Sequence, residues 1–320
     1  MSLVRRTVAP VVRPVIRRLD RHLEARMAGR DRRLAETRER AERTESALRE
    51  ELADTRKELR ELRDRVHGLD LLLGREGRRV HRQPTVRQIG ALARDVAEVT
   101  GARGADARRE IVQAYRTLVE VENRGVGRIA GGTGNILGKL ATVPLLDPPN
   151  GEVLEIGTLF GLFAGCLARQ VVRAGLPYHL TIVDPISPVQ LQEGRRLKHD
   201  LSGTPISEDV VRANLHYAGV QPERLRLVRG YSTAPEVRAA LAGGGFGVIV
   251  VDGDHSAEGV AADLAWVEEL AAPGAVVVLD DYGDPKWPGV REAGEAHLAR
   301  PGTRLSLVGQ VTTSAFLRAG

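Results

Sequence analysis

The chain has 320 residues, 42% of them hydrophobic and 3% aromatic, a formal net charge of +5 and one cysteine. This length exceeds one compact domain and the apolar content suffices for a full core, so an α/β domain with a substantial appendage is expected. A single cysteine excludes an internal disulfide framework and a zinc centre of several thiolates, and no apolar run approaches the roughly 20 residues that cross a bilayer.

Residues 1–26 form a basic arm in which Arg5, Arg6, Arg13, Arg17, Arg18, Arg21 and Arg26 outnumber the acids. No h-region follows Arg5-Arg6, so no signal peptide is readable and a cytoplasmic protein is expected. Val4, Val8, Val11, Val15 and Leu19 recur at helical spacing beside these arginines. That pattern suits an interfacial helix making peripheral contact with the inner face of a membrane, whereas Pro10 and Pro14 suit a solvated, disordered arm. Base stacking has few aromatic candidates, so no nucleic-acid partner is expected.

Residues 27–74 read as one long helix, rich in Arg, Glu, Leu and Ala. With Leu52, Leu59, Val66 and Leu73 at heptad position a, position d falls on Leu48, Thr55, Leu62 and Leu69. Such a seam predicts a left-handed coiled coil and a homo-oligomer, a parallel dimer above all. Upstream the a positions are Glu24, Asp31, Arg38 and Glu45, so the seam weakens there. Residues 75–146 read as a linker through Gly74 to Pro84 and a helical cap, with helices over 85–99 and 105–122 and a short one ending near Thr142.

Residues 147–320 change texture. Apolar runs at Val153–Ile156, Leu180–Asp184, Leu225–Val228, Val248–Asp252 and Ala275–Asp280 alternate with helix-length segments. Continuous β-branched runs mark parallel strands buried on both faces, so the fold class is α/β with an open, doubly wound sheet. Two last runs, Arg304–Val308 and Val311–Leu317, flank Gly309-Gln310 and predict a C-terminal antiparallel hairpin turning at that pair. Cys166 lies in an apolar stretch and reads as a buried core thiol.

Open α/β sheets bind ligands at the carboxyl ends of their strands, where this chain places Gly and Asp. Gly157 permits a sharp turn after the first strand, and Gly161 a close backbone approach at the next helix. Leu159 breaks the dinucleotide fingerprint, so the loop suits a nucleoside without a pyrophosphate. Asp184 is placed to accept from ribose hydroxyls, and Tyr231 and Ser232 to cover an adenine face and bond its edge; turn or cap roles are the structural alternative. The fourth and fifth strands end in Asp252-Gly253-Asp254-His255 and Asp280-Asp281-Tyr282. Crowded acids repel unless paired, and an all-oxygen set of Asp252, Asp280 and Asp281 suits Mg²⁺; the alternative is that Asp254 caps a helix and Asp280 bonds backbone amides.

The stretch 153–297, through VLEIGTLFG, TIVDP, VIVVDGDHSAEGVAADL and VVVLDDYGDPKWPGVREA, resembles class I O-methyltransferases dependent on S-adenosylmethionine (SAM). The resemblance is to the metal-dependent branch with catechol-type and macrolide and aminocoumarin sugar methyltransferases. It implies a Rossmann-like sheet, a methionine pocket shaped by Glu155, Gly157 and Gly161, the ribose held by Asp184, and metal at Asp252, Asp280 and Asp281; Thr158, Tyr231, Ser232 and Asp252 complete the expected SAM pocket. The base is His255, which has the better intrinsic pKa, or Asp254. The implied acceptor is a hydroxyl of a small molecule or glycan: a sugar, a glycosylated natural product or a surface polysaccharide. Tyr282, Lys286 and Trp287 either line the acceptor site or pack a covering loop. Two other functions fit the same residues: a metal-free methyltransferase using His255 as base, and a SAM-binding coiled-coil scaffold at a membrane assembly.

Overall fold

The computed structural model describes residues 4–72, 82–187 and 204–320, with side chains described over 14–69 in the first stretch. Position a residue Leu73, most of the expected linker and residues 188–203 of the loop before Thr204 lie outside these. So do the side chains of Val4, Val8, Val11, Arg5, Arg6 and Arg13, on which the membrane-contact expectation leans. The chain divides into two compact units between Leu69 and Asp70.

The first unit is a single helix, α1 (Val4–Leu72). It runs without interruption through the expected arm boundary at residue 26, and Pro14 sits inside it. Thr37, Thr44 and Thr55 donate to the carbonyls of Arg33, Arg40 and Glu51 one turn back, and Arg43 pairs with Glu39 and Arg49 with Glu45 at i,i+4. Such exposed pairs each contribute only about 0.3–0.5 kcal/mol. The apolar side chains of the heptad seam, Leu48, Leu52, Leu59, Leu62, Val66 and Leu69, are all exposed within the single chain.

The second unit is built on seven strands: β1 (Gly151–Ile156), β2 (Tyr178–Asp184), β3 (Leu225–Arg229), β4 (Phe246–Val251), β5 (Ala271–Leu279), β6 (Leu305–Val311) and β7 (Ser314–Ala319), in the sheet order β3-β2-β1-β4-β5-β7-β6. The first five pair in parallel, and β7 joins β5 and β6 antiparallel. This is the α/β Rossmann-like architecture with its C-terminal hairpin. The period of two splits each strand between two cores: Val248 and Val250 of β4 join one, Ile249 and Val251 the other.

The first core is closed by α2 (Val86–Thr100), α3 (Gly104–Arg124), α4 (Thr133–Leu145), α5 (Leu162–Arg173) and α6 (Glu208–Tyr217), and the second by α7 (Pro235–Ala240), α8 (Ala257–Leu270) and α9 (Pro288–Leu298). The cap helices α2 to α4 therefore share a core with the sheet rather than forming a body of their own. Cys166 is buried in that core, as expected. Arg82 ties the start of this unit down: it is 4% exposed, bonds Glu122 through two nitrogens and donates to the carbonyls of Ile129 and Gly131.

The hairpin does not turn where the sequence predicts. β6 runs through Gly309 and Gln310, and the turn falls on Thr312 and Thr313, with Thr312 at φ 53°. Gly309 marks a register shift instead, and a Cβ there would lie 2.8 Å from Val99 of α2. A glycine inside a strand signals a bulge or a close approach, and here it signals both.

Candidate active site

The strand order reverses direction at β1, with β2 on one side and β4 on the other. Such a switch point leaves a crevice beyond the carboxyl ends of the strands. A cavity of about 460 Å³ occupies it, with Glu155, Gly157, Thr158, Phe163, Asp184, Tyr231, Ser232 and Asp252 in its wall. Gly157 is at φ 86°, and any Cβ would meet the Asp252 carbonyl oxygen at 2.2 Å, so only glycine lets β1 turn so close to β4. Gly161, at φ 76°, is the N-cap of α5.

Asp184 braces this loop. One of its oxygens accepts from the Thr158 amide at 2.8 Å and the other from the Ile186 amide at 2.6 Å. Each oxygen keeps a lone pair for a ligand hydroxyl. Tyr231, 60% exposed, also lines the cavity. Glu155 is the anomaly in the wall: it is 1% exposed, and its Oε2 has no hydrogen-bond partner. Burial pushes its carboxyl up to about 8. A carboxyl oxygen kept dry and unpaired is costly unless a ligand completes it.

At the tips of β4 and β5 the acids separate into two groups. His255 Nε2 lies 2.9 Å from Asp281 Oδ2 and 3.8 Å from Asp252 Oδ1. Its ring stacks on Trp287 at 4.6 Å, and its Nδ1 is buried with no partner. With Nε2–H donating to the Asp281 carboxylate, the lone pair is left on Nδ1. Asp281 reaches this position from φ 56°, a left-handed conformation uncommon outside glycine. Asp254 is exposed, lines the cavity and accepts from the Ser256 amide at 2.9 Å through one oxygen.

Asp280 faces elsewhere. Its Oδ2 accepts from Lys139 Nζ of α4, while its Oδ1 accepts from Asn135 at 2.9 Å and Ser314 at 2.6 Å. Lys139 is 2% exposed, lies 3.8 Å from Asp252 and sits over the Phe163 ring at 4.6 Å. Burial opposes its charge, but Asp280 and Asp252 outweigh that and raise its pKa. Burial likewise works against the Asp280 anion, and Lys139 with Ser314 and Asn135 holds that carboxyl well below the ordinary range. For Asp252, burial and the neighbouring Asp280 push the carboxyl well above it, against the pull of Lys139. The sequence reading misses Lys139; the available signal is one of four lysines in the chain standing alone in the apolar stretch from Ile136 to Val143.

These side chains do not fit the all-oxygen magnesium set of Asp252, Asp280 and Asp281. The Asp280 carboxylate is taken up by three donors. A divalent ion bound there about 4 Å from the ammonium would meet a repulsion of roughly 8 kcal/mol at an effective dielectric of about 20. Among the described residues, the group that converges within 4.8 Å is Asp252, His255 and Asp281. An imidazole between two carboxylates suits borderline transition ions better than Mg²⁺, and His255 already bonds Asp281.

Residues 154–282, which carry β1 from Leu154, β2 to β5 and the site acids Glu155, Asp184, Asp252, Asp254, Asp280 and Asp281, match the family model of a methyltransferase domain. No curated protein matches the chain. Among solved structures it is similar to cofactor-bound Rv0187 from MTB, at 26% identity over 66% of this chain and 88% of that one, with a TM-score of 0.41. It is similar also to the O-methyltransferase NovP (18% identity, 72% and 98% covered, TM-score 0.45) and to CalS11, a TDP-rhamnose 3'-O-methyltransferase (17%, 74% and 97%, TM-score 0.41).

Proposed function

We propose that the chain transfers a methyl group from SAM to a hydroxyl of a sugar, a glycosylated natural product or a surface glycan. The matched segment supports methyl transfer. The acceptor class follows from the resemblance of the motifs that end β4 and β5. The observation that carries the reading is Glu155, a buried carboxyl in the cavity wall with one oxygen left without a hydrogen-bond partner, and Asp184 on the neighbouring strand. Together they match the ammonium and the ribose diol of SAM. When bound, SAM supplies an electrophilic methyl carbon on a sulfonium.

The rest is work for the chain. Glu155 holds the ammonium, Asp184 accepts from the ribose, and Tyr231 covers the base. His255, oriented by Asp281, takes the hydroxyl proton. His255 is preferred to Asp254 because an imidazole is intrinsically the better base near neutrality; Asp254, which lines the cavity, is the alternative. Positioning then accounts for most of the acceleration.

The test is incubation of the purified protein with isotopically labelled SAM and a host extract, read by mass spectrometry. Label should appear on a hydroxyl-bearing glycan or glycoside. His255→Ala should slow transfer about 10²- to 10⁴-fold with SAM affinity by calorimetry retained. A protein that binds no SAM would end this reading.

We also propose that α1 pairs with a second copy of itself in a parallel, in-register coiled coil. The exposed seam supports this, as does the charge beside it. Glu51 and Glu58 occupy g positions, and Arg56 and Arg63 occupy the e positions they would face across a parallel dimer.

A further inference from the structure

We propose that Lys139 is the resident cation of this site: an ammonium carried by α4 stands where a divalent ion would otherwise neutralise the acids of β4 and β5, and methyl transfer proceeds with no bound metal. The inference rests on the methyl-transfer reading and specifies how its acceptor site is charged.

Three observations carry it. The ammonium is bonded to Asp280 and lies 3.8 Å from Asp252, so it faces one acid from each strand tip. It is 2% exposed, and Phe163 closes it from another side, which leaves it no alternative partner in water. The remaining acid of the cluster, Asp281, is hydrogen-bonded by His255. Pairing is therefore complete for Asp280 and Asp281, and Asp252 alone stays open to the cavity. A cationic side chain buried this deeply is retained only where carboxylates compensate it, and removing one member strands the other.

The chemistry balances without an ion. The carbon–sulfur bond of the sulfonium breaks as the carbon–oxygen bond forms, sulfur keeps the electron pair, and the hydroxyl proton passes to His255. Lys139 acts as a positioning residue: it fixes Asp280 and sets the field at Asp252 without touching the reacting atoms.

The test measures cation binding directly. Metal-free wild-type protein, titrated with Mn²⁺ and followed by the electron paramagnetic resonance of the free ion, should bind none up to about 1 mM, weaker than any ordinary resident metal. Its transfer rate should be the same in excess EDTA and in Mg²⁺. Lys139→Met, which uncovers Asp280, should bind Mn²⁺ at least about tenfold more tightly than wild type and gain thermal stability on adding it. Stoichiometric Mn²⁺ binding by wild type, or EDTA inhibition reversed by Mg²⁺, overturns the proposal whether or not the variant folds. Wild-type protein that binds neither Mn²⁺ nor SAM leaves the charge assignment standing and removes the methyl-transfer reading.

Discussion

Glu155 shows how one side chain can make a ligand necessary. Its carboxyl is pushed up to about 8 by burial, against 4.5 for an ordinary glutamate, so the folded protein holds a proton that the unfolded chain has lost. The sign follows from linkage: unliganded stability falls as pH rises from the lower value to the upper, because folding there must retain the proton or bury the anion. Pairing with a cationic ligand demands the anion and releases that proton. Affinity for SAM should therefore rise with pH by up to about tenfold per unit between roughly pH 6 and 7.5, where the ligand ammonium is still charged. Calorimetry across that range checks it. Glu155→Gln should bind more weakly with a flat profile, and a variant that keeps the wild-type slope would assign the proton to another group.

Among elements, the strands were the most legible, because parallel strands buried on both faces must be apolar at every position, as Val248 to Val251 are. The acids that end them were legible for the same reason, since a charge closes an apolar run. What those acids face was not. The bond from Lys139 to Asp280 spans 141 positions and that from Asn135 spans 145, and no local pattern encodes either. Gly309 misled because a glycine beside a polar residue reads as a turn until the helix packed on it is known. The helix α1 was legible in its seam, and its continuation through Pro14 was not. That seam makes its own prediction: Leu52→Asp together with Leu59→Asp should convert a dimer to a monomer in sedimentation equilibrium, with SAM affinity unchanged. A wild-type monomer at micromolar concentration would remove the coiled coil.

At the scale of the molecule, the division between Leu69 and Asp70 separates a unit with no buried apolar side chain among its described residues from one with two cores and a cavity. A chain truncated to residues 70–320 should thus keep its melting temperature within a few degrees and its SAM affinity within about threefold, while losing self-association. Differential scanning calorimetry and calorimetric titration of the two chains side by side decide this, and a truncated chain that aggregates would show that the long helix shields part of the fold. One consequence of the Lys139–Asp280 pair reaches beyond catalysis. A charge delivered by a helix has no dissociation constant: it arrives when α4 docks on the sheet, in fixed stoichiometry. Neither mineral starvation nor a competing ion in the surrounding solution can strip it away.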